Sequence, residues 1–437
     1  MMGKFLNTIA YNLLDIWDIN RILQDNEYED MVPLSSLLTQ YQKIISKQEA
    51  IAKHLFIISK ISFAGVLHLN DFEKIYSVKG TLYEIPIGAI TYSKINVRHG
   101  CSYLNNTNNS ILASSEYPSF IIDENKVYPK YLIMVLRCPQ ILKQFNSKLR
   151  GFTKSRVGVS EFLSTKIPLP SLEKQKELVA EYEKLQNLAT QKEEDAKKIE
   201  NSIDDYLLSE LGIEHIDISN DKKTLFRLVN YMDLNKWIIP DNIEQFTSSK
   251  YNFVTFGNIV KEGPSYGANV KGCSIDNGCR YIRITDINDD GSLNNDIAYP
   301  ERIDNRYLLK ENDFLIARSG ATVGKTFLYK DKFGKCIYAG YLVRYRLKAC
   351  IVPEFLFYYT HSSVYKLWVV KNQRVAAQPN INGQEYLNFP LIVPSLKTQE
   401  AIIKEIDNKK EKIQKLRNES EQFKQQAISN FEQEVFN

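Results

Sequence analysis

The feature that most constrains this chain is an internal repeat. Ile167-Pro-Leu-Pro-Ser-Leu-Glu-Lys-Gln175 returns as Leu391-Ile-Val-Pro-Ser-Leu-Lys-Thr-Gln399, so that Pro170, Ser171 and Gln175 stand 224 positions before Pro394, Ser395 and Gln399. The same offset carries Glu181 onto Glu405, Leu163 onto Leu387, Pro129 onto Pro353 and Gly100 onto Gly324. It also aligns Gly88-Ala-Ile-Thr-Tyr-Ser-Lys94 with Asn312-Asp-Phe-Leu-Ile-Ala-Arg318. Upstream the register loosens: Trp17 and Val32-Pro-Leu34 lie near Trp237 and Val254-Thr-Phe256 at offsets of 220 and 222. A period this long is a duplicated domain rather than a solenoid repeat. The 437 residues are therefore two tandem copies plus connectors, with pseudo-twofold symmetry expected within one chain.

Each copy closes with a long polar helix. Proline cannot sit inside a helix, so Pro170 and Pro394 mark the boundary, and Ser171 and Ser395 are the N-cap candidates. The first seam runs Leu178, Tyr182, Leu185, Ala189, Ala196, Ile199, Ile203 and Tyr206, in steps of three and four broken only at Lys192. Leu211-Gly212 supplies the stop. The second seam runs Ile402, Ile406, Ile413, Leu416, Phe423 and Ala427. At about 1.5 Å per residue, roughly 40 residues make about 60 Å of helix. A narrow apolar stripe of that length needs a partner, and each helix is the obvious one for the other, packed antiparallel; two surface helices on separate domains are the bland alternative.

Between the helices, short strand-like runs alternate with turns. Arg280–Ile287 precedes Asn288-Asp-Asp-Gly291, and Asp313–Ala317 precedes Gly320; Ile121-Ile122 and then Tyr131–Leu136 predict a strand and a helix. The expected fold is mixed α/β: two tandem globular domains separated by two long helices in an antiparallel coiled coil. The boundaries are 1–170 for the first domain, 171–212 for the connector helix, 213–394 for the second domain and 395–437 for the C-terminal helix.

Lys and Arg number 56 against 52 Asp and Glu, a formal charge of +4 that excludes a strongly cationic chromatin protein. Local basic patches can still bind nucleic acid. No window of about 18 apolar residues exists, and the N-terminal stretch lacks a cleavage signal, so a cytoplasmic protein with no membrane partner is expected. The six cysteines contain no C-x-x-C pair, which disfavours a zinc site and fits reduced thiols.

Catalytic signals are missing. Ser319-Gly-Ala-Thr-Val-Gly-Lys-Thr326 approaches a phosphate-binding loop, but Ser319 occupies the first glycine's place and the other copy has no lysine at the equivalent position. A glycine-bearing turn presenting Arg318, Lys325 and backbone amides to a phosphodiester is more economical. No adenine-methyltransferase or nuclease motif is present, and Asp204-Asp205 and Asp289-Asp290 are expected to be solvated. What remains is a binding inventory. Residues 143–166 hold Lys143, Lys148, Arg150, Lys154, Arg156 and Lys166 against the single acid Glu161. The second copy has Lys366, Lys371 and Arg374, then Gln378-Pro-Asn380-Ile-Asn382-Gly383. Lys and Arg contact phosphates, whereas Asn, Gln and Arg also reach base edges. The 26 tyrosines are assigned to cores and boundaries rather than to stacking on bases.

Two tandem domains, each ending in P-S-L-x-x-Q and a long helix, resemble the specificity subunit of a type I restriction-modification system. Tyr281-Ile-Arg-Ile-Thr-Asp-Ile287, the Asn312–Lys325 run and Gln378–Gly383 carry the resemblance in the second copy. In the first copy Tyr92-Ser-Lys-Ile-Asn-Val-Arg98 and Lys154-Ser-Arg-Val157 depart from it. The resemblance implies a non-catalytic subunit whose two target recognition domains each read half of a bipartite double-stranded DNA sequence, with the helices as a ruler across the spacer. It implies two modification subunits that methylate adenine, and restriction subunits that translocate and cleave. S-adenosylmethionine, ATP and Mg2+ would belong to those partners, with no cofactor in this chain. The expected DNA contacts are Lys94, Arg98, Lys154, Arg156, Arg318, Lys325, Thr326, Arg374, Gln378, Asn380 and Asn382. The expected helix seam is Leu178, Tyr182, Leu185, Ile199, Ile203, Ile402, Ile406, Ile413 and Leu416. A stand-alone DNA-binding accessory protein of a related defence system, and a coiled-coil scaffold with passive domains, remain open.

Overall fold

A computed structural model describes residues 31–70, 75, 76, 78, 80–149, 155–213, 248–373 and 379–436. The chain divides into two compact units, residues 1–191 with 419–437, and residues 192–418.

The core of the first unit is an antiparallel sheet of β1 (Leu38–Tyr41), β2 (Ile90–Tyr92), β3 (Ser102–Leu104) and β4 (Ser119–Ile122), in the order β1-β4-β2-β3. Helices α1 (Pro129–Val135) and α2 (Pro139–Ser147) follow, and Tyr92, Phe120, Phe145 and Phe162 are fully buried in one stack. A five-stranded sheet adjoins this core, and in it Ile57 pairs in parallel with Leu112.

The second unit repeats the plan. Strands β5 (Val260–Tyr266), β6 (Phe314–Ala317), β7 (Thr326–Leu328) and β8 (Leu342–Leu347) stand in the order β5-β8-β6-β7. Helices α4 (Pro353–Tyr359) and α5 (Ser363–Asn372) follow, and Arg280 pairs in parallel with Cys336, the repeat equivalent of Leu112. The short strands that seal each unit also correspond: Val32 pairs with Ile167, and Val254 pairs with Leu391. The loosened offset read near Val32 and Val254 is therefore a true structural equivalence. Trp17 and Trp237 lie outside the described residues.

One buried glutamine explains the P-S-L-x-x-Q run. Gln175 is fully buried; its Nε2 donates to Lys126 O and Pro170 O, and its Oε1 accepts from Tyr128 N at 2.7 Å. Gln399 is fully buried too and makes the equivalent bonds to Cys350 O, Pro394 O and Val352 N. The amide thus ties the start of a long helix to the segment that begins α1 or α4. Ser171 and Ser395 cap those starts by accepting from Lys174 N and Thr398 N.

The long helices are α3 (Leu172–Glu210) and α6 (Leu396–Phe436), and each belongs partly to both units. Their pairing is antiparallel within each unit. In the first, Lys174 meets Glu434 and Ala189 meets Ser420; in the second, Arg417 meets Glu193 and Glu200, and Lys409 meets Ser202. As one helix advances, its partner retreats. The seam residues line these contacts: Leu178, Ile402, Ile406 and Ile413 are buried, and Tyr182, Leu185, Ile199, Ile203 and Leu416 are half-buried. Tyr182 and Phe431 meet edge to face at 6.1 Å.

Three expectations need correction. The strand over 280–287 stops at Ile282, because Arg283 turns back onto the buried Asp286 carboxylate, with its backbone N–H and its guanidinium both donating. Asp204 is not simply solvated: its carboxylate accepts from Ser363 N at the start of α5, where a helix N-terminus favours negative charge. Lys148 is buried, its ammonium among the hydroxyls of Ser164 and Thr165, so it leaves the basic surface read from residues 143–166.

Candidate nucleic-acid interface

In the second unit two segments distant in sequence close on each other. Arg318 follows β6, and its carbonyl accepts from Ile381 N at 2.9 Å. Ser319 bridges to Asn380, and Gly320 N donates to Pro379 O at 2.9 Å. The Arg318 N–H donates to Tyr341 O, so both sides of the arginine backbone are fixed. The turn then passes through a short 3-10 helix, Gly320–Thr322, directly into β7. No α-helix follows the Gly-Lys-Thr run, and a phosphate-binding loop requires a helix N-terminus there.

The guanidinium of Arg318 lies over two rings, 4.9 Å from the centroid of Tyr266 and 5.8 Å from that of Tyr341. Both tyrosines are exposed, at 41% and 53%. The Tyr266 hydroxyl accepts from Gly383 N, which holds its ring in place. Among the described residues the Arg318 side chain has no carboxylate partner, whereas Arg156, Arg283, Arg306, Arg346 and Arg417 all have one. Arg318 Nε, Ser319 Oγ and Asn380 Oδ1 are buried with no hydrogen-bond partner among the described residues.

The first unit builds the same turn from different side chains. Lys94 takes the place of Arg318: its carbonyl accepts from Val157 N at 2.8 Å and its N–H donates to Glu116 O. Arg156 takes the place of Asn380 and forms a two-point pair with Glu116 at 3.1 and 3.2 Å, both side chains about 40% exposed. Glu116 takes the place of Tyr341, since each backbone carbonyl accepts from the Lys94 or Arg318 N–H, and Tyr41, paired with Ser119, stands where Ser265 pairs with Arg344. Gly100 and Gly324 close the two turns at φ of +84° and +85°. A Cβ at Gly324 would press into Val369, so the repeat keeps glycine there for both conformation and space.

The remaining sequence-derived contacts divide by location. Lys325 is ion-paired with the highly exposed Asp289 at 2.7 Å, a pair that solvent makes weak and exchangeable. The Lys325 ammonium lowers the Asp289 carboxyl pKa from its ordinary value. Arg98 is half-buried and donates to His99. Thr326 is buried with its hydroxyl bonded to Thr360, so it joins β7 to the end of α4. The Asn382 side chain caps the short helix Gly383–Tyr386, accepting from Gln384 N and Glu385 N. Lys154, Arg374 and Gln378 lie outside the described residues. Sequence reasoning passed over Tyr266 and Tyr341, because it assigned the tyrosines to cores and boundaries.

Residues 42–201 and 251–425 match the family described as type I restriction modification DNA specificity domain, one copy in each half of the repeat. The chain belongs to that family. A curated relative, the type I restriction enzyme EcoBI specificity subunit of Escherichia coli, is 24% identical over 300 residues, which cover 65% of this chain and 60% of the relative. The chain thus matches less than two thirds of that specificity subunit's length. A solved structure titled for complex assembly and conformational transition of the type I R-M system aligns over 93% of this chain and 95% of its own, with 16% identity and a TM-score of 0.55. The HsdS subunit from Thermoanaerobacter tengcongensis aligns over 93% and 96%, with 16% identity and a TM-score of 0.49. The first of these likenesses concerns the fold of a specificity-domain protein and nothing finer.

Among the described residues no helix is long and apolar enough to cross a membrane, and no group of three or more His, Cys, Asp or Glu side chains is arranged to hold a metal ion.

Proposed function

We propose that this chain is the sequence-reading subunit of a type I restriction-modification complex. Each specificity domain contacts one half of a bipartite double-stranded DNA target, and the paired helices hold the halves at a fixed spacing. Partner subunits carry the chemistry: modification subunits methylate adenine with S-adenosylmethionine, and restriction subunits use ATP and Mg2+. The chain itself is non-catalytic in this reading and acts in the cytoplasm.

The observation that carries this reading is the recurrence of one loop architecture with different side chains. Both units hold the Lys94/Arg318 position by the same pair of backbone hydrogen bonds. Yet they present Lys94 with Arg156–Glu116 in one unit, and Arg318 with Asn380 in the other. A shared backbone with divergent polar tips suits two half-sites of unlike sequence, because base edges are read by side chains while the scaffold only positions them. Lys94, Arg98, Lys154, Lys325 and Arg374 supply the cationic contacts, and Arg156, Arg318, Gln378, Asn380 and Asn382 the groups able to reach bases. Thr326 supports the loop from beneath. Major-groove faces recur about every 34 Å, so about 60 Å of helix is long enough to set which turns are reached.

The test is to express the chain with the neighbouring methyltransferase and map modified adenines by single-molecule sequencing. One bipartite motif with a fixed gap, lost when this gene is deleted, is expected; modification unchanged by the deletion overturns the proposal. Inserting one heptad within residues 178–206 should alter the gap or abolish assembly without changing either half-site. An unchanged gap with full activity refutes the ruler.

A further inference from the structure

We infer that Arg318, set against the rings of Tyr266 and Tyr341, reads a guanine in the half-site of the second domain. The inference rests on the DNA-reading function proposed above and assigns Arg318, one of the groups able to reach bases, a particular base.

Five observations combine. A guanidinium carries a rim of N–H donors, and here its carbon lies over two rings, 4.9 and 5.8 Å from their centroids. Two aromatic rings attract the arginine's charge and restrict where its head can lie. The backbone on either side is pinned by Tyr341 O and Ile381 N, which fixes the root of the side chain. Nε is buried and without a partner among the described residues, so the group cannot present its Nε edge outward. That leaves the two terminal amino groups as the edge offered to a ligand, and no carboxylate among the described residues engages them. Both rings are exposed, so the arginine sits at the surface rather than in the core.

A planar cation that offers two parallel terminal donors matches an acceptor pair on one edge. In duplex DNA that pair is O6 and N7 of guanine in the major groove. A phosphate would be served as well by a lysine, and Lys94 holds the equivalent place in the first unit. Tyr266 and Tyr341 are positioning residues in this account. Their exposed rings let the charged group remain extended toward DNA without a protein carboxylate to hold it.

The test uses the full chain assembled with its modification subunits, on the duplex identified by adenine mapping. Each guanine in either half-site is replaced in turn by 7-deazaguanine, which lacks N7. One guanine should weaken binding on the order of 10-fold, and Arg318→Gln should abolish the sensitivity to that substitution alone. Arg318→Lys should also lose the discrimination while keeping the salt dependence of binding, since it keeps the charge. Tyr341→Ala should lower discrimination at the same guanine, and Tyr341→Phe should restore it, because only the ring is required. Should Arg318→Gln fail to assemble, the Lys and Tyr341 variants carry the same comparison. The inference is overturned if no guanine is sensitive, if sensitivity persists in Arg318→Gln, or if Arg318→Gln weakens every duplex equally and flattens the salt slope, the mark of a phosphate contact. The last two results leave the DNA-reading function standing; a wild-type complex with no sequence preference for any duplex removes that function itself.

Discussion

Replacing Gln399 with alanine tests the reasoning that links the repeated motif to the fold. The side chain is fully buried and satisfies three backbone groups: Val352 N at 2.7 Å, Pro394 O at 2.8 Å and Cys350 O at 3.1 Å. Truncation removes all three bonds, of which the one to Pro394 O is buried and the other two are part-buried. At about 1 kcal/mol each, the low end for an unsatisfied buried group, the loss is about 3 kcal/mol. The effect should be local, since the three groups flank the starts of α4 and α6. Amide hydrogen exchange followed by mass spectrometry reads it directly: peptides over residues 350–359 should exchange about 100-fold faster, as each 1.4 kcal/mol is a factor of ten. Gln175→Ala is the built-in control, because it removes the same bonds in the first unit and should act on residues 126–135 instead. Gln399→Glu adds a sign. Its carboxyl would face two carbonyl oxygens, which only the protonated form can satisfy, so the folded-state pKa rises above the ordinary value of about 4.3. That variant should be most stable below about pH 4.3 and lose stability as pH rises through the elevated folded value. Less than threefold faster exchange in Gln399→Ala would refute the claim that this amide clamps the helix start.

Other consequences follow from single contacts. The His361 imidazole is held below its ordinary pKa of 6.5, first by burial and then by Lys410 and Lys366, while a bond to Phe357 O and the charge of Asp290 oppose the shift. The unfolded chain therefore binds the proton more readily, stability falls as pH drops below about 6.5, and His361→Leu should flatten the urea midpoint between pH 7 and 5. Ala189 has no exposed surface and its carbonyl accepts from Ser420 Oγ at 2.8 Å, so Ala189→Leu should overpack the helix pair and cost about 1–3 kcal/mol in thermal unfolding. Asp313 is 1% exposed and accepts from Arg346 Nε and Lys310 N; Asp313→Ala should cost about 3 kcal/mol by urea titration, and a loss under 1 kcal/mol would show that water replaces the carboxylate.

Much of this architecture is written in one dimension. The 224-residue offset, the two proline stops, the serine caps and the apolar seam place both long helices and pair equivalent strands, because helix periodicity and capping act over a few residues. The offset also aligns α1 with α4 residue for residue, Pro129–Val135 onto Pro353–Tyr359. The function class was legible for the same reason, since the motifs that carry the family resemblance are contiguous.

Tertiary structure decided which side chains are available. Lys148 and Thr326 read as available polar side chains in sequence, yet both are buried, with hydroxyl partners elsewhere in the chain. The 280–287 run scores as one strand by composition, but the Arg283–Asp286 pair ends it after three residues. The clamp around Arg318 draws on residues 266, 318, 341 and 380, which lie on separate strands and loops. Local pattern carries no term for such contacts: cation stacking and buried hydrogen bonds depend on distances that only the folded sheet sets.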